Sequence, residues 1–437
     1  MSSLAPTDFD RALALHARGA WDEAEAAYRA ILAGDRNQAE VQHCLGVLLH
    51  QRGQTDCGVS LIVGALRAQP ASASRCNDLG NIYAQVGDLP NAAAAFRRGV
   101  DLAPADANLW NNLGSVFQRQ QDLQAAEDAF RRALGADPDF VPALTNLASL
   151  LGRTGREEES SLLHCRAFVQ PPLQGKSHNM LAIAYYRLGR IGQAAQCYRA
   201  WVAEEPHNAI ARHQLAACSG QDVPSRASEG YVTALFDALA EEFDQKLVAG
   251  LCYQGPAIVG ALLEGCLPPG ARLEVLDGGC GTGLCAPVLA PIASRLTGVD
   301  LSEAMLRKAR ARGGYDELAR AELTAFLQSR PGGFDLIVMA DTLIYFGDIG
   351  PLFDAVARAV RPGGWFAFTA ELASQTGCAA PGFELTPSGR YAHDQAYLAR
   401  VLADCGFRMQ RTADVVLRTE FCKPARGVGV LACVAPQ

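Results

Sequence analysis

The 437-residue sequence predicts two architectures in tandem: an all-α solenoid of stacked helical pairs, then an α/β domain with a parallel sheet flanked by helices. Three observations carry that division. A 34-residue period fills the first half; short apolar runs alternate with helical segments in the second; and one such run ends in Asp277, directly before a loop of alternating glycines.

Composition narrows the class first. Hydrophobic residues make up 49% and charged residues 19%, the balance of a folded globular chain. Residues 1–220 carry 20 basic against 22 acidic side chains, and residues 221–437 carry 19 against 24. Neither half has a basic surplus, which argues against nucleic acid as a partner. The start, MSSLAPTDFD, has no basic and apolar leader, and no apolar run reaches the length of a membrane span. A cytoplasmic protein that does not enter the membrane is expected. The 14 cysteines form no CxxC pair and no Cys/His cluster at zinc-ligand spacing, so no metal site is expected.

The repeat is read from its register. Pro70, Pro104, Pro138, Pro172 and Pro206 are each 34 residues apart, as are Gly19, Gly53 and Gly87, then Gly155 and Gly189, with Gln121 breaking the series. Leu45, Leu79, Leu113, Leu147 and Leu181 keep the step, and so do Tyr28, Ile62, Phe96, Phe130 and Tyr198. The leucine, followed by Gly46, Gly80 or Gly114, belongs on a first helix where a small neighbour admits a second. The recurrent glycine belongs at the turn between them, where a left-handed conformation is easiest. Ala24, Gly58, Ala92, Ala126 and Ala194 mark the close crossing on the second helix, and the proline closes the unit. This pattern, clearest in LWNNLGSVFQRQQDLQAAEDAFRRALGADP, resembles the tetratricopeptide repeat family.

The resemblance covers about six units, with ARHQLAACSG as a capping segment, and sets the array at 7–220. It implies a concave face that binds a peptide or protein partner. Asn77, Asn81, Asn111, Asn112, Asn146 and Asn179 would stand there. Their amides suit an extended backbone; equally, they suit helix caps or solvent.

Residues 221–230, rich in Ser and Gly, read as a linker, and 231–437 as the second domain, opening on the helical stretch YVTALFDALAEEFDQKLV. In LEVLDGGCGTGLCAPVLA (273–290) an apolar strand ends in Asp277, and Gly279, Gly281 and Gly283 follow before a helix. Bare backbone of this kind lets a nucleoside approach closely. A second apolar strand, Leu296–Val299, ends in Asp300, where a carboxylate can accept both hydroxyls of a ribose. A dinucleotide fingerprint would need a sixth-position glycine, and Leu284 stands there instead. The spacing (Asp/Glu)-x-Gly-x-Gly-x-Gly is similar to the motif of class I methyltransferases. GVDLSEAMLRKAR, Ala321-Glu322-Leu323, FDLIVMADTLIYFGD and the Pro-Gly-Gly turn in LFDAVARAVRPGGWFAFTAE follow in that family's order, and VVLRTE and GVGVLACV suit its closing hairpin. Gly278 departs from the bulky residue common there. The domain looks like the bacterial repeat-fused methyltransferases, whose LFDALAEEFDQKL-type helix and GRYAHDQAYL it matches.

That resemblance implies a Rossmann-like domain with a seven-stranded, mostly parallel sheet and S-adenosyl-L-methionine as cofactor. It implies backbone contacts at Gly279, Gly281 and Gly283, an orienting hydrogen bond from Asp277, ribose contacts at Asp300 beside Leu301, and Glu322 with Leu323 at the adenine. Asp341 would face the reaction crevice from the end of the fourth strand. Phe236 and Phe243 either cover the cofactor or fill a helix face. His393, the lone histidine of this half, is the candidate general base if one is needed, and otherwise a surface histidine. Tyr345, Arg390 and Tyr391 are the candidates to orient substrate. Neither an (Asn/Asp)-Pro-Pro-(Tyr/Phe) motif nor a Pro-Cys nucleophile is present, so the acceptor is unspecified. Three readings stand: transfer to a peptide or protein recruited by the repeats, transfer to a small molecule with the repeats serving assembly, and a non-catalytic scaffold.

Overall fold

The computed structural model describes residues 7–245, 250–268, 270–373, 382–420 and 423–434. The chain divides into two compact units at Gln174/Gly175.

The first unit is built from antiparallel helical pairs. They are α1 (Asp8–Ala17) with α2 (Trp21–Gly34), α3 (Ala39–Gln51) with α4 (Thr55–Ala68), α5 (Ala73–Gln85) with α6 (Leu89–Leu102), α7 (Ala107–Arg119) with α8 (Leu123–Ala136), and α9 (Val141–Arg153) with α10 (Glu157–Phe168). Each pair turns through a residue of positive φ: Gly19 at 80°, Gly53 at 84°, Gly87 at 85° and Gly155 at 79°. Gln121, the exception in sequence, adopts the same conformation at 65°. The small residues act as the period predicts. A methyl placed on Gly46 would meet Gly58 O at 2.7 Å, and one on Gly80 or Gly114 would enter the ring of Phe96 or Phe130. Those two phenylalanines are wholly buried.

Polar side chains link successive first helices at a 35-residue step. Asn112 Nδ2 donates to Asn77 Oδ1 at 3.0 Å, and Asn146 Nδ2 to Asn111 Oδ1 at 2.9 Å. His50 pairs with Gln85 and His43 with Asp78 in the same way. The asparagines expected to await a peptide backbone are therefore partly engaged with one another, and Asn111 is buried.

The second unit begins with a further pair, α11 (His178–Arg187) and α12 (Ile191–Glu204), and the single helix α13 (Ala209–Ser219), ended by Gly220 at φ 67°. The segment read as a linker is a bonded strap. Ala227 N donates to Tyr345 O at 2.8 Å, and the amides of Gly347 and Asp348 both donate to Ser225 O. Helix α14 covers Glu229–Leu239 only, shorter than the helical stretch read from 231–248, of which 246–248 lie outside the described residues.

Then follow α15 (Gly255–Leu263), β1 (Leu273–Gly278), α16 (Ala286–Leu289), β2 (Ala293–Asp300), α17 (Glu303–Arg312), β3 (Glu317–Arg320), α18 (Leu323–Gln328), β4 (Phe334–Met339), α19 (Gly350–Ala359), β5 (Val360–Glu371), β6 (Phe383–Leu385), β7 (Tyr391–His393), α20 (Gln395–Asp404), β8 (Phe407–Glu420) and β9 (Lys423–Val434). The seven-stranded sheet has the order β3-β2-β1-β4-β5-β9-β8, with β9 antiparallel to both neighbours and the remaining pairs parallel. β6 and β7 form a separate antiparallel pair. The closing hairpin is longer than VVLRTE and GVGVLACV suggest, because the first half of β8, FRMQRTAD, is mostly exposed and shows no apolar run.

Both sheet faces are buried, which is why the central strands read as unbroken apolar runs. Alternation sends Val275, Leu336, Val338 and Ala367 to the layer under α15. Leu276, Ile337, Phe366 and Phe368 go to the opposite layer, where Phe353 of α19 meets Phe366 edge-on at 5.1 Å.

Candidate active site

Strand order reverses between β1 and β4, and a ligand crevice is expected outside the carboxyl ends of the strands at such a switch point. A cavity of about 570 Å³ opens there, wholly within the second unit. Its floor is Asp277 near the end of β1 with Gly279 and Gly281 after it, and Asp300 at the end of β2 with Leu301 after it. Glu322, Leu323 and Asp341 line it from the next two strand ends.

The backbone of the glycine loop explains its composition. Gly281 has φ 54°, and a methyl built on it meets nothing within 4 Å, so any side chain there would stand in the cavity. Gly281 N donates to Asp300 Oδ2 at 2.9 Å, and Ser302 N to Oδ1 at 2.8 Å. Each carboxylate oxygen keeps a second lone pair for a hydroxyl. Burial raises the Asp300 carboxyl above its ordinary range. Gly283, expected to contact ligand, does not line the cavity; a methyl on it would press on the Tyr315 ring at 3.0 Å and on Ala309 at 3.4 Å. Its role is packing against α17. The space left by Gly278 is filled by Leu323 and Met339.

Asp277 is almost fully buried and accepts from Tyr315 Oη at 2.6 Å. Burial outweighs that bond and pushes its pKa up to about 6. Glu322 caps α18 by accepting from Thr324 N and Ala325 N, and also pairs with Arg226 of the strap at 2.9 Å. Its carboxylate therefore already carries three partners.

The roof comes from α14 and the turn after it. Phe236 and Phe243 line the cavity, in edge contact at 5.7 Å, and Phe236 meets Tyr345 at 5.5 Å. Asp237 accepts from Ser302 Oγ at 2.5 Å and Asp244 from Thr282 Oγ1 at 2.5 Å, which clasps this roof to the loops after β2 and β1.

At the far end stands a charge cluster that sequence reasoning missed. Arg418, 1% exposed, donates to both oxygens of Asp341 at 3.0 and 3.2 Å, and to Glu371 and Glu420 at 2.5 Å each. Arg390, which lines the cavity as expected, pairs with Glu420. Asp341 takes φ 58°, uncommon outside glycine, with its N–H donated to Thr369 Oγ1 at 2.8 Å and its carboxylate held by Arg418. A charged residue inside the apolar run VVLRTE was the available signal.

Two candidates lie elsewhere. Tyr391 is fully buried, donates its hydroxyl to Pro224 O at 2.8 Å and does not line the cavity. His393 is also fully buried, off the cavity, with Nε2 at 2.8 Å from Phe346 O. Burial lowers its pKa to about 4, so it stays neutral with a proton committed to a carbonyl. The geometry corrects both readings of it: His393 is neither a base facing substrate nor a surface histidine. Asn77, Asn111 and Asn112 lie in the first unit, bonded as described.

A family model described as a methyltransferase domain matches residues 276–368, and one described as a tetratricopeptide repeat matches 77–139 and 168–218. The chain thus carries tetratricopeptide repeats and a methyltransferase domain. The methyltransferase match spans Asp277, the glycine loop, Asp300, Glu322 and Asp341, and stops before Arg390 and Arg418. Among curated relatives, the ubiquinone biosynthesis O-methyltransferase of Thiobacillus denitrificans is 36% identical over 107 residues, 23% of this chain and 45% of that one. That of Hydrogenovibrio crunogenus is 30% identical over 133 residues, 28% and 54% of the two chains. The chain thus spans about half the length of the curated relatives it matches. Among solved structures, an S-adenosylmethionine dependent methyltransferase from Mesorhizobium loti is 25% identical with TM-score 0.33, covering 41% of this chain and 97% of that one. MamA from Desulfovibrio magneticus is 18% identical with TM-score 0.36, covering 39% and all of that chain. Among the described residues, no helix is long and apolar enough to cross a membrane.

Proposed function

We propose that the second unit transfers a methyl group from S-adenosyl-L-methionine to an acceptor held in the 570 Å³ cavity. The observation that carries this reading is the bare backbone at Gly281 opening directly beside the Asp300 carboxylate, a cradle for a nucleoside and its ribose. The cofactor, when bound, supplies a methyl group already activated on a sulfonium. The chain supplies the rest. Gly279 and Gly281 offer main chain, Asp300 beside Leu301 receives the ribose hydroxyls, Leu323 packs at the base with Glu322 behind it, and Asp277 orients the amino-acid end.

Methyl transfer needs alignment and exclusion of water more than it needs a proton-transfer group, and an aromatic roof over a buried floor provides both. Asp341, fixed by Arg418, and Tyr345 face the acceptor side, with Arg390 at its edge. The acceptor in this reading bears a nucleophilic oxygen, in keeping with the O-methyltransferase names of the relatives.

A second reading places that group on a protein recruited by the repeats. It is favoured by Gln214 of the last repeat-derived helix, which lines the same cavity. Either way the repeats serve as a protein-binding surface.

Calorimetric titration with S-adenosyl-L-methionine tests the core of the proposal. Micromolar to submillimolar binding is expected, and Asp300→Ala abolishes it. Absence of binding at millimolar ligand would refute it.

A further inference from the structure

Helix α13 belongs to the repeat array by sequence, yet it packs against α14 and reaches the cavity. His213, buried, stacks on Tyr231 of α14 at 3.8 Å, and its Nε2 lies 2.9 Å from Gly389 O. One residue on, Gln214 lines the cavity and donates Nε2 to Tyr231 Oη at 3.3 Å. The turn that these two residues meet is shaped for the contact. Gly389 has φ 84°, and a methyl there would fall 2.4 Å from Gln214 Nε2 and 3.0 Å from Tyr231 Oη. The turn closes on itself, Thr386 N donating to Arg390 O and Gly389 N to Thr386 O, each at 2.8 Å. Ser388 and Arg390 are thereby delivered to the cavity.

Acidic charge is in excess at this end. Arg390 and Arg418 face Glu420, Asp341 and Glu371, two cations against three carboxylates. An acceptor carrying its own carboxylate would find no spare cation there. Gln214 is different, because after its bond to Tyr231 its amide still has one N–H and carbonyl lone pairs.

We propose that Gln214 is a specificity-determining residue for the acceptor, hydrogen-bonding an uncharged hydroxyl while the aromatic roof takes the ring that carries it. His213 is the positioning residue that keeps the 386–390 turn in place. The terminal repeat helix is then a wall of the acceptor site, and the acceptor is a hydroxylated ring without a negative charge near the hydroxyl. This rests on the methyltransferase reading above.

The experiment uses the full chain saturated with S-adenosylhomocysteine and titrates two matched probes, 4-methylphenol and 4-hydroxybenzoate. The wild-type protein binds 4-methylphenol more tightly than 4-hydroxybenzoate. Gln214→Met weakens 4-methylphenol about tenfold, the effect of one lost hydrogen bond, and leaves S-adenosylhomocysteine affinity unchanged. Arg212→Met, on the exposed face of the same helix, binds both as wild type. The inference is overturned if 4-methylphenol does not bind, if the benzoate binds better, or if Gln214→Met binds the phenol normally. It is also overturned if that variant loses both ligands alike, which would make Gln214 merely structural. Failure of S-adenosylhomocysteine to bind the wild-type chain would instead sink the methyltransferase reading, and this inference with it.

Discussion

Arg418→Met removes the cation at the centre of the acceptor-side cluster and leaves its apolar stem largely replaced. Asp341, Glu371 and Glu420 have side-chain exposures of 15, 17 and 20%, so water compensates them poorly once the guanidinium is gone. Arg390 remains, but it contacts Glu420. Stranding buried carboxylates costs about 3–5 kcal/mol. For a unit of this size each kcal/mol moves the melting temperature by about 2–4 °C, so a drop of about 10 °C is expected at pH 8. The pH dependence gives a sharper check. In the wild-type protein Glu420 is held below the usual carboxylate range, despite its burial, by Arg390 and Arg418. Without Arg418 the carboxyls of Glu371 and Glu420 lose the cation that lowers them and titrate upward, so their cost is full above neutrality and is relieved as they protonate on acidification. The gap between variant and wild type therefore narrows from pH 8 to pH 5. Thermal melts followed by far-UV circular dichroism at both pH values measure it. A variant melting within about 2 °C of wild type at pH 8, or a gap that widens in acid, would refute the reasoning.

Three further outcomes follow from the same structure. Gln121→Gly relieves a left-handed conformation costing about 1–2 kcal/mol at some cost in unfolded-chain entropy, for a net stabilisation of about 0.5–1 kcal/mol by urea denaturation. Asp277, with its pKa raised to about 6, must be ionised to orient the cofactor; affinity for S-adenosyl-L-methionine falls about tenfold from pH 7 to pH 5, and Asp277→Asn flattens that profile. His393→Gln lowers the melting temperature yet leaves turnover per folded molecule within about twofold. Because His393 is held neutral down to about pH 4, its burial costs stability as pH falls below the ordinary histidine value, a loss the glutamine variant lacks.

Much of the fold was legible because the signals are periodic or local. The 34-residue register placed the turn glycines and the Gly46–Gly58 crossing, and a strand ending in Asp277 before bare glycines placed the crevice. What escaped depends on residues far apart in sequence. Arg418, Asp341 and Glu371 meet only because β4, β5 and β8 end at the same rim, and no spacing encodes that. Tyr315 and Gln214 reach the site from a loop and from a repeat helix. His393 was misread because burial, which decides whether an imidazole can act as a base, leaves no local trace in the chain. The linker was misread for a related reason. Ser225 and Ala227 look like spacer residues, but their backbone groups are paired with the loop at 345–348.

The links at a 35-residue step, His50 to Gln85, Asn112 to Asn77 and Asn146 to Asn111, bear on how this array can change over time. Each spans neighbouring modules, and they fall into two kinds, a histidine–glutamine link early in the array and asparagine–asparagine links after it. Modules joined by the same kind of link can replace one another without losing a match, whereas a swap across the two kinds breaks one, and substitutions at these sites are expected to arise in complementary pairs.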